Sequence, residues 1–376
     1  MSDTPQPFPH WMLREIHEQP QALAATLERY LTGATFIAET CEPIRQWLRE
    51  SHRQIVVAAS GSSRHAGLVA ELMIEDLSGI AVDVEYASEY TYRTEKCRRD
   101  AAVLVISQSG ETADTLAALR RANHAGHVTL AITNVPGSTM AREATVSFPT
   151  AAGRERAIPA TKSFTAQLLN LYLLSLLAAE VAEEIAPEEL RARLHEVARV
   201  PAQVAAQLPA WEIAIRAAAE QHRDAKNFLF LGRNVHYPIA REGALKLKES
   251  AYLHAEGYPS GELKHGPNAL VAEGTPLVMI ATVDRADPDS IQRYEKVVQL
   301  LRDMRDQGAN TFAIANTGDL TIAGLATHTV FVDPVREPLM PLFEVIPFQL
   351  FAYCMAIQNG IDVDNPRNLT KAVLAE

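Results

Sequence analysis

The stretch "VLVISQSGETADTLAAL" (Val103–Leu119) changes character halfway along its length. Residues Val103–Ile106 are apolar without alternation, which is typical of a strand that is buried on both faces of a parallel sheet. From Ala113 onward the apolar positions recur at helical spacing, so the polar turn before it joins a buried strand to a helix. Such a strand–turn–helix unit predicts an α/β domain with a parallel sheet.

The same pattern recurs along the chain. Three strands with their turns are predicted in each half, separated by helical stretches: Gln54–Ser63, Ala101–Gly110, Val128–Asn134, Asn227–Asn234, Pro276–Val283 and Thr311–Thr317. The segments TLAITN (Thr129–Asn134) and TFAIAN (Thr311–Asn316) are alike at the residue level, which indicates an internal duplication. Since 376 residues are enough for two domains, we predict two tandem doubly wound parallel-sheet α/β domains.

The domain boundaries follow from changes in composition. We predict an N-terminal helical segment at residues 1–35, the first domain at residues 36–190, the second domain at residues 205–355 and a C-terminal tail at residues 356–376. The segment between the two domains is rich in Ala, Glu and Arg and is interrupted by prolines. This composition favours connecting helices over a flexible linker.

Composition and charge narrow the class of protein. The net charge of -11 argues against nucleic acid or an anionic membrane as the main partner. The three cysteines, Cys41, Cys97 and Cys354, are far apart and indicate neither a disulfide framework nor a zinc site. The first residues lack the features of a signal peptide, and the most apolar run (Leu168–Ala182) is short for a bilayer and predicts a buried helix. We therefore expect a cytoplasmic protein.

Two polar turns follow predicted strands of the first domain, SGSS (Ser60–Ser63) and SQSGET (Ser107–Thr112). Parallel sheets bind ligands at the carboxyl ends of their strands, and a helix that begins there offers free N–H groups to a phosphate. Hydroxyl and amide groups would add donors, so the two turns predict a site for a phosphorylated polyol. A helix cap is the ordinary role of one such turn, and for the two turns together the cap and the phosphate site are about evenly matched.

A charged stripe lies on the predicted helix of the second domain. Glu242, Lys246 and Glu249 are spaced so that they share one helical face. Spacing alone favours a solvated face with a weak ion pair. If another part of the protein covers the stripe, Glu249 is a candidate base and Lys246 a candidate partner for it. His265, in the Gly- and Pro-rich segment that follows, is either exposed or a candidate for proton transfer near neutral pH.

Several motifs together resemble one protein family. The segments SQSGETADTL, NVPGS, EGALKLKE, HAE, GELKHGP and D-x-PRNL-x-K occur in the order found in the sugar-isomerase (SIS) family of phosphosugar-binding proteins, whose domains are flavodoxin-like. The chain is most similar to the isomerase half of the family's glutamine–fructose-6-phosphate aminotransferases, also called glucosamine-6-phosphate synthases. The segments GSSRHAG and IPATKSF are more similar to the family's stand-alone glucosamine-6-phosphate deaminases, with Ala160 where the synthases carry serine.

The resemblance implies a role for each matching residue. Glu249 would move the proton between C1 and C2 of the sugar, supported by Glu242 and Lys246. His265 would open the ring, reaching the site from a neighbouring subunit, and Lys371 would contact the sugar carbonyl or form an imine with it. The residues implied in substrate binding are Ser62, Ser63, Ser107, Gln108, Ser109, Thr112, Ala160 and Arg367.

The implied reaction converts glucosamine 6-phosphate into fructose 6-phosphate and ammonia, reversibly and with neither a metal nor an organic cofactor. The implied partners are the phosphosugar and a second copy of the chain in a homodimer. The synthases begin with a glutaminase domain whose N-terminal cysteine attacks glutamine, whereas residue 2 here is Ser2 and REIHEQP (Arg14–Pro20) resembles the segment that joins their two halves. We therefore expect no glutaminase activity and allow for a separate ammonia donor. The alternatives are an ammonia-using synthase subunit, a related phosphosugar isomerase or deglycase, and a non-catalytic phosphosugar sensor.

Overall fold

The computed structural model describes residues 4–51, 54–93 and 100–371, so Cys97 and the residues after Lys371 lie outside the described parts. The chain divides into two compact units, each built around one sheet. The first-sheet unit comprises the described parts of residues 18–155, 162–202 and 370–371. The second-sheet unit comprises residues 4–17, 156–161 and 203–369.

The N-terminal part of the described chain contains three helices and one short strand pair. Helices α1 (Trp11–His17) and α2 (Gln19–Tyr30) lie inside the predicted segment 1–35. The short antiparallel pair β1 (Leu31–Thr32) and β2 (Thr35–Phe36) follows, and then α3 (Ala38–Arg49). Within the second-sheet unit, the Asp364 carboxylate accepts the backbone N–H groups of Trp11 at 2.8 Å and Met12 at 2.9 Å. These N–H groups have no partner inside α1, so the carboxylate ties the C-terminal segment to the start of the helix.

The first-sheet unit has a five-stranded parallel sheet with the order β4-β3-β5-β6-β7. The central strands are buried on both faces, and helices connect successive strands. The elements of this part of the chain are β3 (Gln54–Ala59), α4 (Gly61–Ser78), β4 (Ala81–Tyr86), α5 (Ala87–Tyr90), β5 (Ala102–Ser107), α6 (Ala113–His124), β6 (Thr129–Thr133), α7 (Thr139–Glu143), β7 (Val146–Ser147) and α8 (Lys162–Val181).

The second-sheet unit repeats this architecture with the order β9-β8-β10-β11-β12, again fully parallel. Its sheet follows the long helix α9 (Pro187–Gln221). Its elements are β8 (Asn227–Gly232), α10 (His236–Ala251), β9 (His254–Pro259), β10 (Pro276–Ala281), α11 (Pro288–Asp306), β11 (Asn310–Asn316), α12 (Leu320–Leu325), β12 (His328–Val332) and α13 (Pro341–Gln358).

The internal duplication extends to individual hydrogen bonds. Thr129 on β6 and Thr145 exchange backbone-to-hydroxyl hydrogen bonds of 3.1 and 2.9 Å. Thr311 on β11 and Thr327 make the same reciprocal pair, at 3.1 Å in both directions. Because the strand orders also agree, the two sheets are copies of one fold, and the prediction of two parallel-sheet α/β domains is confirmed.

Two features differ from the sequence prediction. The proline-interrupted segment between the sheets forms the single 35-residue helix α9 rather than several helices. A proline inside a helix removes one hydrogen bond, and here buried apolar side chains along α9, such as Val197, Val204 and Trp211, offset that loss. The strands β4, β7, β9 and β12 are also absent from the prediction, because they lie at or next to sheet edges and lack continuous apolar runs.

Two helices, α8 and the stretch Glu337–Gln358 that includes α13, are long and apolar enough to cross a membrane. However, 89% and 94% of these windows are buried inside the protein. They therefore have the character of buried core helices, as the sequence predicts for Leu168–Ala182. Cys41 on α3 and Cys354 on α13 are free and buried.

Candidate active site

The polar turns of the first-sheet unit lie at the point where its strand order reverses. From β3 the chain passes to β4 on one side, and β5 pairs with β3 on the other side. Ser60–Ser63 follow β3 and Ser107–Thr112 follow β5, so both turns lie at the carboxyl ends of adjacent parallel strands. This topological switch point is where doubly wound sheets bind their ligands.

At the helices that begin at these turns, the N-cap side chain makes no hydrogen bond to the first backbone N–H groups. Ser60 precedes α4 and Thr112 precedes α6, and neither side chain accepts a hydrogen bond from its helix in the described structure. By contrast, Ser138 caps α7 through the N–H of Ala141, and Asp319 caps α12 through the N–H of Ile322. The helix-cap interpretation of Ser60 and Thr112 is therefore wrong, and both helix starts retain the features of an anion site.

The turn after β5 is held by its own hydroxyl groups. The Ser107 hydroxyl lies 2.9 Å from the Thr112 hydroxyl and accepts the Gly110 N–H at 3.2 Å. The Ser109 hydroxyl accepts the Glu111 N–H at 3.1 Å. The Ser107–Thr112 contact uses one hydroxyl hydrogen of two, so the other can be donated to a ligand. We call Ser62, Ser63, Ser107, Gln108, Ser109 and Thr112 the hydroxyl cradle.

Gly110 is required by the shape of this turn. Its φ of +67° lies in the left-handed region, and a side chain there would overlap Ser138 and Thr133. Of the cradle residues, Ser107 is buried, whereas Ser62, Ser63, Gln108, Ser109 and Thr112 are half-buried. The cradle thus combines a fixed backbone with polar side chains that a ligand can reach.

The charged stripe on α10 is buried, so the prediction of a solvated face is wrong. Glu242 and Lys246 are 0% exposed, and the side chain of Glu249 keeps 23% of its surface exposed. Lys246 Nζ lies 2.6 Å from Glu249 Oε2 and 3.3 Å from Glu242 Oε1. Spacing put these residues on one face correctly, but it carried no information about the packing of α10 against β8, β9 and α13.

The electrostatics of the stripe keep Lys246 charged. Burial alone would lower the pKa of Lys246, but the charges of Glu242 and Glu249 and their hydrogen bonds raise it well above its ordinary value. The ammonium holds Glu249 through Oε2, while Oε1 of Glu249 has no hydrogen bond from the described residues. Such a carboxylate is fixed in position yet has one oxygen that can accept a proton.

His265 lies in the second-sheet unit, in a short 3-10 helix, Glu262–His265. The residue is exposed, while Leu263 is fully buried and anchors the turn to the core. Lys264 Nζ makes an ion pair of 2.5 Å with Asp303 on α11, and Gly266 adopts a φ of +143°. The turn is therefore fixed to the body of the unit at two points and presents His265 outward.

Lys371 belongs to the first-sheet unit and pairs with a carboxylate that the sequence analysis missed. Its Nζ lies 2.5 Å from Glu155 Oε2, and the Glu155 side chain is 0% exposed. Glu155 also accepts the Ser163 N–H at 3.1 Å and the Ser163 hydroxyl at 2.6 Å, at the start of α8. Glu155 thus fixes the position of the ammonium that the SIS resemblance places on the sugar carbonyl.

The remaining predicted substrate-binding residues, Ala160 and Arg367, lie in the second-sheet unit. Arg367 stacks on the ring of Tyr252, at 4.3 Å from its centroid, and its backbone N–H donates to the Tyr252 hydroxyl at 2.6 Å. Tyr252 follows α10 directly, so this contact places Arg367 at the end of the helix that carries Glu249. Ala160 is half-buried in the segment before α8.

Comparison with known proteins identifies the family. The SIS domain profile matches residues 48–177 and 222–358, which cover both sheets. The chain belongs to the SIS domain family. Among curated SIS relatives, the glutamine–fructose-6-phosphate aminotransferases [isomerizing] of Chlorobaculum tepidum and Methanosarcina mazei are 41% and 42% identical over 372 residues. These alignments cover 98% of this chain and 59% of each relative, so the chain spans about three fifths of their length.

Solved SIS structures agree with this assignment. The C-terminal domain of the glucosamine-fructose-6-phosphate aminotransferase from Francisella tularensis superposes with a TM-score of 0.89 at 33% identity. It covers 97% of this chain and is itself covered completely. The glucosamine-6-phosphate deaminase from Thermotoga maritima has a TM-score of 0.70 at 24% identity over 97% of this chain, which shows a shared fold.

Proposed function

We propose that this chain interconverts glucosamine 6-phosphate with fructose 6-phosphate and ammonia, and that alone it works as a deaminase and isomerase. The observation that carries the proposal is the buried Glu242–Lys246–Glu249 stripe, in which a fixed carboxylate keeps one open oxygen. The similarity to named aminotransferases and to the Francisella tularensis domain supports the same class of substrate. A sensor that only binds phosphosugars would not need this base.

The proposed mechanism assigns a step to each group. The hydroxyl cradle and the starts of α4 and α6 bind the phosphate, and His265 assists opening of the ring. Glu249 removes the C2 proton, which the C1 aldehyde makes acidic, and the resulting enolamine takes a proton at C1 to give an imine at C2. Water then hydrolyses the imine to fructose 6-phosphate and ammonia. Lys371, positioned by Glu155, supports the sugar carbonyl.

The second candidate is synthesis, in which the chain uses ammonia delivered by a glutaminase. It is favoured by the aminotransferase relatives, which share about three fifths of their length with this chain. The turn SQSGET and the segments GELKHGP and PRNLTK also resemble the synthases more than the deaminases. The steps are those of the first candidate in reverse, so the choice concerns the source and fate of ammonia.

The test is to incubate the purified chain with glucosamine 6-phosphate and to measure ammonia and fructose 6-phosphate. We expect both products in equal amounts, and glucosamine 6-phosphate from fructose 6-phosphate with an excess of ammonium. Fructose 6-phosphate made from an aldose without ammonia release would instead show a plain isomerase. Binding without turnover of any phosphosugar in a panel would show a sensor.

We also propose that the protein is cytoplasmic and forms a homodimer in which two chains share each active site. The dimer proposal rests on the resemblance that assigns His265 to a neighbouring subunit and on the exposure of that residue. Mixing inactive Glu249→Gln chains with inactive His265→Asn chains tests it. We expect activity to return on subunit exchange, because one mixed site then has both groups, whereas a site within one chain would stay inactive.

A further inference from the structure

The second sheet has its own switch point, between β8 and β10. The strand registers of the two sheets show which of its residues correspond to those of the hydroxyl cradle. Pairing across β5–β6 and β10–β11 aligns Ile106 with Ile280, because Ile132 and Ile314 are equivalent. Continuing this register through β3 and β8 places His236 at the position of Ser63. The backbone agrees, because Gly61 and its counterpart Asn234 have φ of +54° and +53°.

Buried polar side chains surround this second switch point. His236 begins α10, Thr282 follows β10, and Ser290 lies in the first turn of α11. All three are at least nine-tenths buried, with exposures of 4%, 4% and 1%. Where the first sheet has a half-buried cradle, the second has a closed polar cluster.

One carboxylate receives most of the donors in the cluster. Glu337, which is 7% exposed, lies 2.8 Å from the Ser290 hydroxyl and 3.3 Å from His236 Nε2. The guanidinium of Arg293 donates to both of its oxygens, through Nε at 3.2 Å and through Nη2. An imidazole, a hydroxyl and a bidentate guanidinium are the donors that proteins use for a phosphate group.

A second carboxylate completes the cluster. His236 Nδ1 lies 2.9 Å from Glu344 Oε1, and the Thr282 hydroxyl donates to the same oxygen at 2.5 Å. Glu344 is 0% exposed, so a free anion from solvent cannot reach the groups that hold its carboxylate. Asp287 and Asp284 stand at the edge of the cluster, where Asp287 pairs with Arg293 at 3.3 Å.

The electrostatics of the cluster favour the charged forms of His236 and Glu337. Burial alone would lower the pKa of His236, but Glu344 and Glu337 raise it to about 10. Burial alone would raise the pKa of Glu337, but His236, Arg293 and Ser290 lower it to about 2. The donors are therefore charged and the acceptor is ionised at neutral pH.

We propose that the second switch point is an oxyanion site which the chain keeps occupied with its own Glu337 carboxylate. The duplicated fold then offers one site to a phosphosugar rather than two. Glu155 is the counterpart of Glu337, because each follows its matching threonine, Thr129 or Thr311, by the same number of residues. In the first-sheet unit, Glu155 accepts hydrogen bonds from Lys371 and Ser163 instead. Removing the Glu337 carboxylate leaves His236, Ser290 and Arg293 as a cradle for a free tetrahedral oxyanion of the phosphate class.

The test is the Glu337→Ala variant, titrated with inorganic phosphate by calorimetry and thermal unfolding at constant ionic strength. We expect one more phosphate per chain than in the wild type. At phosphate 100 times its dissociation constant, this site should raise the ratio of folded to unfolded chains about 100-fold. The measured quantity is the difference in bound phosphate per chain between variant and wild type. Phosphate bound by the hydroxyl cradle is the same in both and therefore cancels.

Two matched variants separate the explanations. Glu337→Gln keeps the side-chain volume, and Glu273→Ala removes an exposed charge from the same unit; both should bind as many phosphates as the wild type. If Glu337→Ala does not fold in chloride, its refolding in phosphate and not in chloride supports the proposal. A folded Glu337→Ala chain with no added site, refolding in neither buffer, or a wild-type chain that already binds two phosphates would overturn it.

Discussion

The two switch points of this molecule are built on one strand order and have opposite contents. At the first, between β3 and β5, serine and threonine hydroxyls surround two helix starts whose N-cap side chains leave them open. At the second, between β8 and β10, the His236–Glu337–Glu344 cluster is buried and fully paired with the chain's own groups. Copies of one fold thus have open helix starts at one switch point and a buried ion cluster at the other.

Under the proposed function, the two units would contribute different groups to the reaction. The first-sheet unit carries the hydroxyl cradle and Lys371, which we propose bind the phosphate and the carbonyl of the sugar. The second-sheet unit carries the Glu242–Lys246–Glu249 stripe on the helix that follows its own filled switch point. Since α10 begins with His236, the ion cluster fixes the start of the helix whose later turns hold the proposed base.

The largest expected effect comes from removing that base. The Glu249→Gln variant keeps the shape of the side chain and loses the ability to take a proton. We expect kcat for ammonia release to fall by about 10²- to 10⁴-fold with little change in KM. The matched control is Glu295→Gln, an exposed glutamate on α11, which should retain wild-type rates. Equal kcat values for Glu249→Gln and wild type would show that Glu249 is not the base.

The next effect tests the cradle. Replacing Ser107, Ser109 and Thr112 together by alanine removes three donors for a charged phosphate, so we expect KM to rise by at least about 100-fold. The matched change at the second switch point is Thr282→Ala, which should lower the melting temperature and leave KM unchanged. A rise in KM for Thr282→Ala, or none for the triple variant, would contradict the division between a binding and a structural switch point.

Sequence predicted much of this division but not all of it. The buried strands β3, β5, β6, β8, β10 and β11 and the duplication were visible because apolar runs and the matching threonine strands carry that information locally. The burial of Glu242 and Lys246 was not visible, since spacing reports which residues share a face and not what packs on it. The positions of the cradle turns were predicted, but their freedom from helix capping needed the backbone.

The ion clusters were missed for a different reason. His236 is 101 residues from Glu337 and 108 from Glu344 in the chain, and it meets them only through tertiary structure. One signal was present: Arg154–Glu155 and Arg336–Glu337 stand at equal distances from the matching threonines Thr129 and Thr311. A repeated Arg-Glu pair after the last strand of each copy could have marked both buried glutamates.

A smaller effect compares two left-handed turn positions, Gly110 after β5 at the first switch point and Asn234 after β8 at the second. Gly110→Ala combines a left-handed backbone with a side chain that overlaps Ser138 and Thr133. We expect the free energy of unfolding to fall by about 2 kcal/mol or more in urea titrations. Asn234→Gly, at the left-handed position of the second sheet, should stay within about 0.5 kcal/mol of the wild type. An unchanged stability for Gly110→Ala would contradict the turn described above.

The last prediction concerns the pH dependence of the free energy of unfolding, to which His236 and Glu337 at the second switch point contribute. The pKa of His236 is raised from 6.5 to about 10, so its stabilising charge is fully present below pH 6.5 and is lost as the pH rises towards 10. The pKa of Glu337 is lowered from 4.5 to about 2, so its contribution is present above pH 4.5 and is lost as the pH falls towards 2. Between pH 7 and 9, His236 should lower the free energy of unfolding by at most about 1.4 kcal/mol per pH unit.

Comparison of variants isolates this contribution from other titrating groups. His236→Asn should be less stable than the wild type at pH 7, because two buried carboxylates lose their cation, and its stability should fall less steeply between pH 7 and 9. His195→Asn, an exposed histidine on α9, should keep the wild-type slope. If His236→Asn and the wild type lost stability in parallel over this range, His236 would be neutral in the folded chain, and the second switch point would hold its carboxylates without an imidazolium.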